Sequence, residues 1–488
     1  MKNLVNLLIC LACLTPGAAL AQHPDIDLAE LQSEVGSSNV NGTGVSFLHV
    51  EVESGTGQYG PNQTDGQNST KTFDDPSGNN TGVNPHAELV GWLIYGDTRG
   101  VAGGLGESGS PPITLYGAND WIFNQLGANF QGDTNLDQTP IIQNYNVSNH
   151  SYIANPSANY TAADIENTVQ RLDWVINQSE MSTVVGTNNG SANPVPGLYA
   201  SAYNVMTVGR TDGGHAAGLT TLNGPGRLAV DMVAPPATII DPDDQSTSYA
   251  TAVVSGMAAV LHQTGDGITD ATRAEVIKAT LLAGATKEEF AGWDRTTTRP
   301  LDEVFGAGEA NIYNSYHIQQ GGEFNGSSSD PTLTIGDDGW DYEALLTEGD
   351  ERFYEFIIGA GEQFDELSVI LNWHADIEDT DAAADTFIPS LTVADLSLEL
   401  YNSTGGFLGS LADQSDSLVD NVEHIYVQNL QAGTYHLRVA NKATGSFDTD
   451  YGLAFRASRS LLAVPEPAFA SVICLGGLLL IGRRRRLS

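Results

Sequence analysis

Ser246-Thr247-Ser248-Tyr249-Ala250-Thr251-Ala252-Val253-Val254-Ser255-Gly256-Met257-Ala258-Ala259 is the stretch on which the reading of this chain turns. Residues 250–262 are apolar and rich in small side chains, which predicts a helix packed closely against other structure. Ser248 stands at the start of that helix. A helix N-terminus presents unpaired N–H groups and positive potential. A hydroxyl held there sits beside donors able to face a developing negative charge. On local chemistry alone, Ser248 reads equally as the cap of a core helix.

The surrounding segments weigh against a mere cap. Upstream, Thr183-Val184-Val185-Gly186-Thr187-Asn188-Asn189-Gly190 reads as a buried strand that ends in an Asn-Gly turn. An amphipathic helix is predicted over 162–178, before that strand, and another buried strand over 204–208, after it. Further upstream, 45–52 reads as a strand with Glu51 near its end. His86-Ala87-Glu88-Leu89-Val90-Gly91-Trp92-Leu93-Ile94 opens an apolar run of helical character. Helical patterns also fall at 27–35 and 270–283. From residue 42 to about 318, β-type runs thus alternate with helices, which predicts an α/β domain with a mostly parallel sheet.

In order and spacing these segments resemble the subtilisin-like serine peptidases. The Ser248 stretch is similar to that family's nucleophile segment, with Ser246 where the family has Gly and Ala252 where it has Pro. The 183–190 strand resembles the family's Ala-Gly-Asn-x-Gly segment, and Tyr203-Asn204-Val205-Met206-Thr207-Val208-Gly209 resembles the strand that follows. The resemblance implies a three-layer fold and an acyl-transfer reaction on a polypeptide. It makes Ser248 the nucleophile, His86 the base and Asn188 a donor to the oxyanion hole. The family's aspartate position is occupied here by Glu51, 35 residues before His86. A glutamate can orient a catalytic histidine, and the order acid, base, nucleophile is the subtilisin order. Glu53 is the alternative carboxylate, because positions 51 and 53 share one face of a strand. Among the ten histidines, His49, His150 and His215 are the rivals to His86. Residues 140–148 resemble the strand that leads to the family's substrate-binding edge, where an extended peptide adds to a sheet. The eroded motif around His86 and the glutamate leave a second class open: an inactive scaffold of the cell envelope that binds or supports.

Charge excludes one function class. Asp plus Glu outnumber Lys plus Arg by 60 to 20. Lys2 and the arginines at 483–486 lie in the terminal segments, leaving 15 basic residues for the body. Phosphate binding needs a basic face, so a nucleic-acid role is not expected. The acidity fits solubility in a salty or calcium-containing exterior.

Beyond residues 321–328, rich in Gly and Ser and read as a linker, short β runs replace the alternation. They fall at 352–358, 367–373, 395–401, 424–427 and 434–439 and predict an all-β sandwich over 329–458. Asp395-Leu396-Ser397-Leu398-Glu399-Leu400-Tyr401-Asn402 and Ala432-Gly433-Thr434-Tyr435-His436-Leu437-Arg438-Val439 resemble the pre-peptidase C-terminal domain of secreted bacterial proteases, a module that binds or spaces. Structural calcium is compatible with its aspartates, but no ligand is assigned and no cofactor is required.

Both ends read as addresses. Residues 1–21 have a charged start, an apolar core and an Ala19-Leu20-Ala21 cleavage site, the pattern of a signal peptide. The short segment from 22 to 42 leaves no room for a folded propeptide. Val464-Pro465-Glu466-Pro467, an apolar run over 468–481 and four arginines resemble the PEP-CTERM sorting signal, which implies an exosortase-type partner and at least transient membrane anchoring through a short hydrophobic helix. The expected location is the cell envelope or extracellular matrix. Cys10, Cys13 and Cys474 all lie in these terminal segments, so the body offers neither a disulfide framework nor a thiol nucleophile.

Overall fold

The computed structural model describes residues 26–128, 138–153, 161–220, 222, 226–236, 245–381, 386–442 and 446–462. The segments expected to be a signal peptide and a sorting tail with a hydrophobic helix, and the three cysteines, lie outside these. Among the described residues no helix is long and apolar enough to cross a membrane.

The N-terminal part runs α1 (Leu28–Val35), β1 (Phe47–Glu51), β2 (Phe73–Asp74), α2 (Pro85–Tyr95), β3 (Ile113–Gly117), α3 (Ala118–Asp120), β4 (Val147–His150), α4 (Ala162–Ser179), β5 (Ser182–Gly186), β6 (Met206–Arg210), β7 (Met232–Ala234), α5 (Thr247–Thr264), α6 (Ala274–Gly284) and α7 (Ile312–Gly321). Seven strands form one sheet in the order β2-β3-β1-β4-β5-β6-β7, every neighbouring pair parallel.

Alternation along each strand sorts side chains to the two faces. Phe47, Val184 and Met206 pack with α2, α5, α6 and α7 in one apolar cluster. Leu48, Val50 and Val185 pack with α4 and Trp121 in another. The sheet therefore lies between two helical layers. Helix α5 is buried from Thr247 to His262. Its small residues allow that: a Cβ on Gly256 would lie 2.6 Å from Val101 Cβ. Helix α4 begins with a capping box, Thr161 and Asp164 each accepting the other's backbone N–H.

The C-terminal part comprises β8 (Asp338–Leu346), β9 (Glu351–Asn372), β10 (Asp376–Asp379), β11 (Pro389–Thr392), β12 (Leu396–Thr404), β13 (Phe407–Ser415), β14 (Val422–Asn441) and β15 (Thr449–Leu461). Six of these form an antiparallel sheet, β13-β12-β14-β9-β15-β8, and β10 pairs with β11. The runs 352–358 and 367–373 are two halves of the single strand β9, and 424–427 and 434–439 are two halves of β14. Each strand continues through an irregularity near 359–362 and 431–433. Tyr354 and Phe356 of one half of β9 share an apolar cluster with Phe364 and Val369 of the other, so the sheet folds over its own face.

The two parts are joined through side chains and backbone. Trp340, Ile370, Val422 and Ala454 belong to the same apolar cluster as α5 and α6. Asn204 exchanges two hydrogen bonds with the Ala375 backbone, at 2.8 and 3.0 Å. Asn421 Nδ2 donates to Tyr203 O at 3.0 Å, and Asp420 Oδ1 accepts from Leu228 N at 2.7 Å. Residues 321–328 are also pinned: Phe324 N donates to Trp340 O, and Ser327 and Phe353 exchange backbone bonds.

Candidate active site

Glu51 is the last residue of β1, and all five residues of that strand are buried. His86 enters on α2. Asn84 caps that helix, its Oδ1 accepting from His86 N at 2.9 Å, and Pro85 follows at the first helical position. Asn84 Nδ2 reaches back to Val52 O at 2.7 Å, tying the helix start to the end of β1. The result is a short contact: His86 Nδ1 lies 2.7 Å from Glu51 Oε2. The carboxylate side chain is 3% exposed and the imidazole 38%, so a buried acid holds a histidine that faces outward. Glu51 Oε1 accepts from Val52 N at 2.8 Å, which folds the longer side chain back on its own strand end. With Nδ1 on the acid, base chemistry at this histidine would fall to Nε2. Glu53 is half-buried and lies two residues beyond the end of β1, so the two carboxylates do not share a strand face.

The His86 ring stacks on Tyr249, centroids 6.5 Å apart and planes 26° apart. That places the histidine beside the residue following Ser248. Ser248 is the second residue of α5, whose cap is Ser246, with Ser246 Oγ accepting from Ser248 N at 3.2 Å. The Ser248 hydroxyl donates to Ser151 O at 2.9 Å, and Ser151 Oγ reaches Ser248 O at 2.9 Å. Ser151, Tyr152, Asn189, Thr247 and Ser248 line a cavity of about 40 Å³.

The two asparagines after β5 take different places. Asn188 is half-buried and its backbone carbonyl accepts from Ala216 N at 2.8 Å. Asn189 is the one that lines the cavity: its Oδ1 accepts from Thr247 N at 2.9 Å and its Nδ2 donates to Ser246 Oγ at 3.2 Å. Asn189, Ser151 and Asn84 are site neighbours that sequence reasoning missed. Asn84-Pro85 carried a readable helix-start signal. An Asn-Asn pair in a turn carries none that separates its two members.

The rival histidines are held in the frame. His49 is buried in β1 with Nδ1 3.0 Å from Tyr95 OH, and burial together with the nearby His86 pushes its pKa down to about 3. His150 is buried in β4 beside Tyr152, lowered by burial to about 3 as well. His215 uses both ring nitrogens on backbone, Arg210 N at 3.0 Å and Val304 O at 2.8 Å. Among the described residues no group of three or more His, Cys, Asp or Glu side chains is arranged to hold a metal ion.

No family model matches the chain, and no curated protein matches it. Solved structures do. The chain is similar to the prenylagaramide maturation protease PagA, at 18% identity over 59% of this chain and 98% of that one, with a TM-score of 0.39. It is similar to the PatG macrocyclase in complex with peptide, at 14% identity over 61% and 97%, TM-score 0.40. It is also similar to MycP1 with the N-terminal propeptide removed, at 17% identity over 60% and 94%, TM-score 0.35.

Proposed function

We propose that this chain is an exported serine endopeptidase of subtilisin type that cuts peptide bonds through an acyl-enzyme. The observation that carries the reading is the 2.7 Å contact between Glu51 Oε2 and His86 Nδ1, with the imidazole stacked beside the start of α5 where Ser248 sits. In the reaction, Ser248 Oγ turns from the Ser151 carbonyl towards His86 Nε2. Oγ attacks the substrate carbonyl carbon as its proton passes to Nε2, and Glu51 stabilises the imidazolium. The oxyanion faces the Ser248 N–H and an asparagine amide, Asn188 by the family pattern, or Asn189, which lines the cavity. Collapse breaks the peptide C–N bond, and the leaving amine takes the proton from Nε2. Water, activated by the same nitrogen, then releases the acid.

Residues 1–21 direct export. Residues 464–488 are read by an exosortase-type enzyme and anchor the chain transiently, so the protein works in the cell envelope or matrix. The 329–458 region spaces or binds, with calcium a structural option.

A second reading, an inactive scaffold, is favoured by one observation: the Ser248 hydroxyl is engaged by Ser151 O. Labelling with a fluorophosphonate, beside Ser248→Ala and His86→Ala controls, separates the two. A Ser248-dependent adduct is expected, and its absence from correctly folded protein sinks the peptidase.

A further inference from the structure

Asn149 sits in β4, paired with β1, which ends on Glu51, and with β5, which leads to Asn188 and Asn189. It is fully buried. Its Oδ1 lies 3.0 Å from Ser151 Oγ and 3.0 Å from Ser255 Oγ, while its Nδ2 is buried with no partner. Both hydroxyls also reach carbonyls at the start of α5. Ser151 Oγ is 2.9 Å from Ser248 O, and Ser255 Oγ is 2.9 Å from Thr251 O.

Proton counting resolves this arrangement. A serine hydroxyl has one proton and a carboxamide nitrogen has two. In this orientation two hydroxyl protons are shared among four contacts to three acceptor atoms, and two amide protons face none. Turning the carboxamide end for end gives every donor an acceptor. Nδ2 then donates to both hydroxyl oxygens, and each hydroxyl donates to one helix carbonyl. Which end of an amide is nitrogen follows from its hydrogen-bond network, and buried donors in folded proteins are almost always paired.

We infer that Asn149 is a positioning residue for the nucleophile, tying β4 to α5 through Ser151 and Ser255 and so holding the backbone from which Ser248 Oγ projects. This rests on the peptidase reading of Ser248. Ser151 completes the clasp, since its carbonyl accepts from Ser248 Oγ. Displacing Asn149 therefore moves both the nucleophile's backbone and the group its hydroxyl rests on.

The test measures fluorophosphonate inactivation of the full chain against pH, with melting temperature alongside. Asn149→Leu keeps the volume and removes all hydrogen bonding, and Asn149→Asp keeps the acceptors and removes both donors. Each is expected to lower the plateau rate by roughly 10²-fold, the scale of a small misplacement of reacting groups. The pH midpoint should stay, because the His86–Glu51 pair is untouched. Ser151→Ala should show the same loss and carries the test if the Asn149 variants do not fold. The double variant with Asn149→Leu and Ser151→Ala should be no slower than either single one, because both act in one relay. Wild-type rates in Ser151→Ala or in folded Asn149→Asp, or additive losses in the double variant, overturn the inference while leaving the peptidase reading intact. Absence of a Ser248 adduct in the wild type overturns both.

Discussion

Both oxygens of Glu51 are used, Oε2 on His86 Nδ1 and Oε1 on Val52 N, so this acid is anchored to its own strand end while it orients the histidine. The extra methylene of a glutamate, about 1.5 Å of reach, is taken up by that fold-back. Glu51→Gln should therefore cost roughly 10³–10⁴-fold in kcat or labelling rate with the fold intact, the effect of presenting the wrong partner to the imidazole. Glu53→Gln should stay near wild type; the reverse ranking would move the acid to Glu53. Asn84 acts one step further out. Asn84→Ala removes the cap that accepts from His86 N, which should cost about 1 kcal/mol of stability and slow labelling as well. Differential melting and the inactivation rate, measured on the same sample, check both effects.

At the scale of elements, α5 decides how closely the nucleophile approaches the sheet. Gly256→Ala places a methyl 2.6 Å from Val101 Cβ, so overpacking should cost about 1–3 kcal/mol and lower the melting temperature. An unchanged melting point would mean that α2 and its following loop yield freely. The β elements show a limit of pattern reading. β9 and β14 bend near Gly359 to Gly361 and near Gly433, and each half reads as a separate short strand because the apolar alternation lapses at the bend. Hydrogen bonding continues on both sides, so the chain makes two long strands instead of four short ones.

At the scale of the molecule, the contact between the two parts contains a buried ionisable cluster. His374 Nδ1 lies 2.7 Å from Glu275 Oε1, both side chains almost wholly buried. Arg273 pairs with Glu180 at 3.0 Å, and Tyr342 donates to Asp450 at 2.8 Å. Burial and the Glu275 carboxylate push Glu180 up to about 7, and burial pushes Asp173 up to about 6. Burial and Glu275 raise Asp450 in the same way. Burial alone would lower His374, but the Glu275 carboxylate outweighs it and holds the imidazole above its ordinary value. Groups raised on folding stabilise most below their unfolded values and lose that contribution as pH rises through the folded ones. Burial alone would raise Glu275, but His374 outweighs it and holds the carboxyl below its ordinary value, so the contribution of Glu275 is lost only in acid. The melting temperature should thus fall between about pH 5 and about pH 8. General repulsion at a net charge of −40 acts in the same direction. Glu180→Gln should flatten the slope, which repulsion alone would not predict. The shared apolar cluster makes a further claim: a chain ending at residue 320 should not unfold cooperatively, because it exposes the surface that Trp340, Ile370 and Ala454 cover. A sharp calorimetric transition in that truncation would refute it.

The amino-acid sequence by itself determined the parallel α/β frame and a helix starting near Ser248, and its resemblance to the subtilisin-like peptidases made Glu51 and His86 candidates. The frame and the helix start follow from local periodicity and from strand and helix ends, which are properties of short segments. Only the tertiary structure decided three other matters. It separated Glu51 from Glu53, because β1 ends at Glu51. It brought Asn189 to the cavity that Ser248 also lines, because a one-residue choice in a turn depends on what packs against it. It also joined the β region to α6 through Glu275, His374 and Gly452, whose missing side chain lets its backbone meet that of Glu275. Contacts between segments a hundred residues apart leave no local pattern, since they depend on complementary surfaces that exist only once both segments have folded.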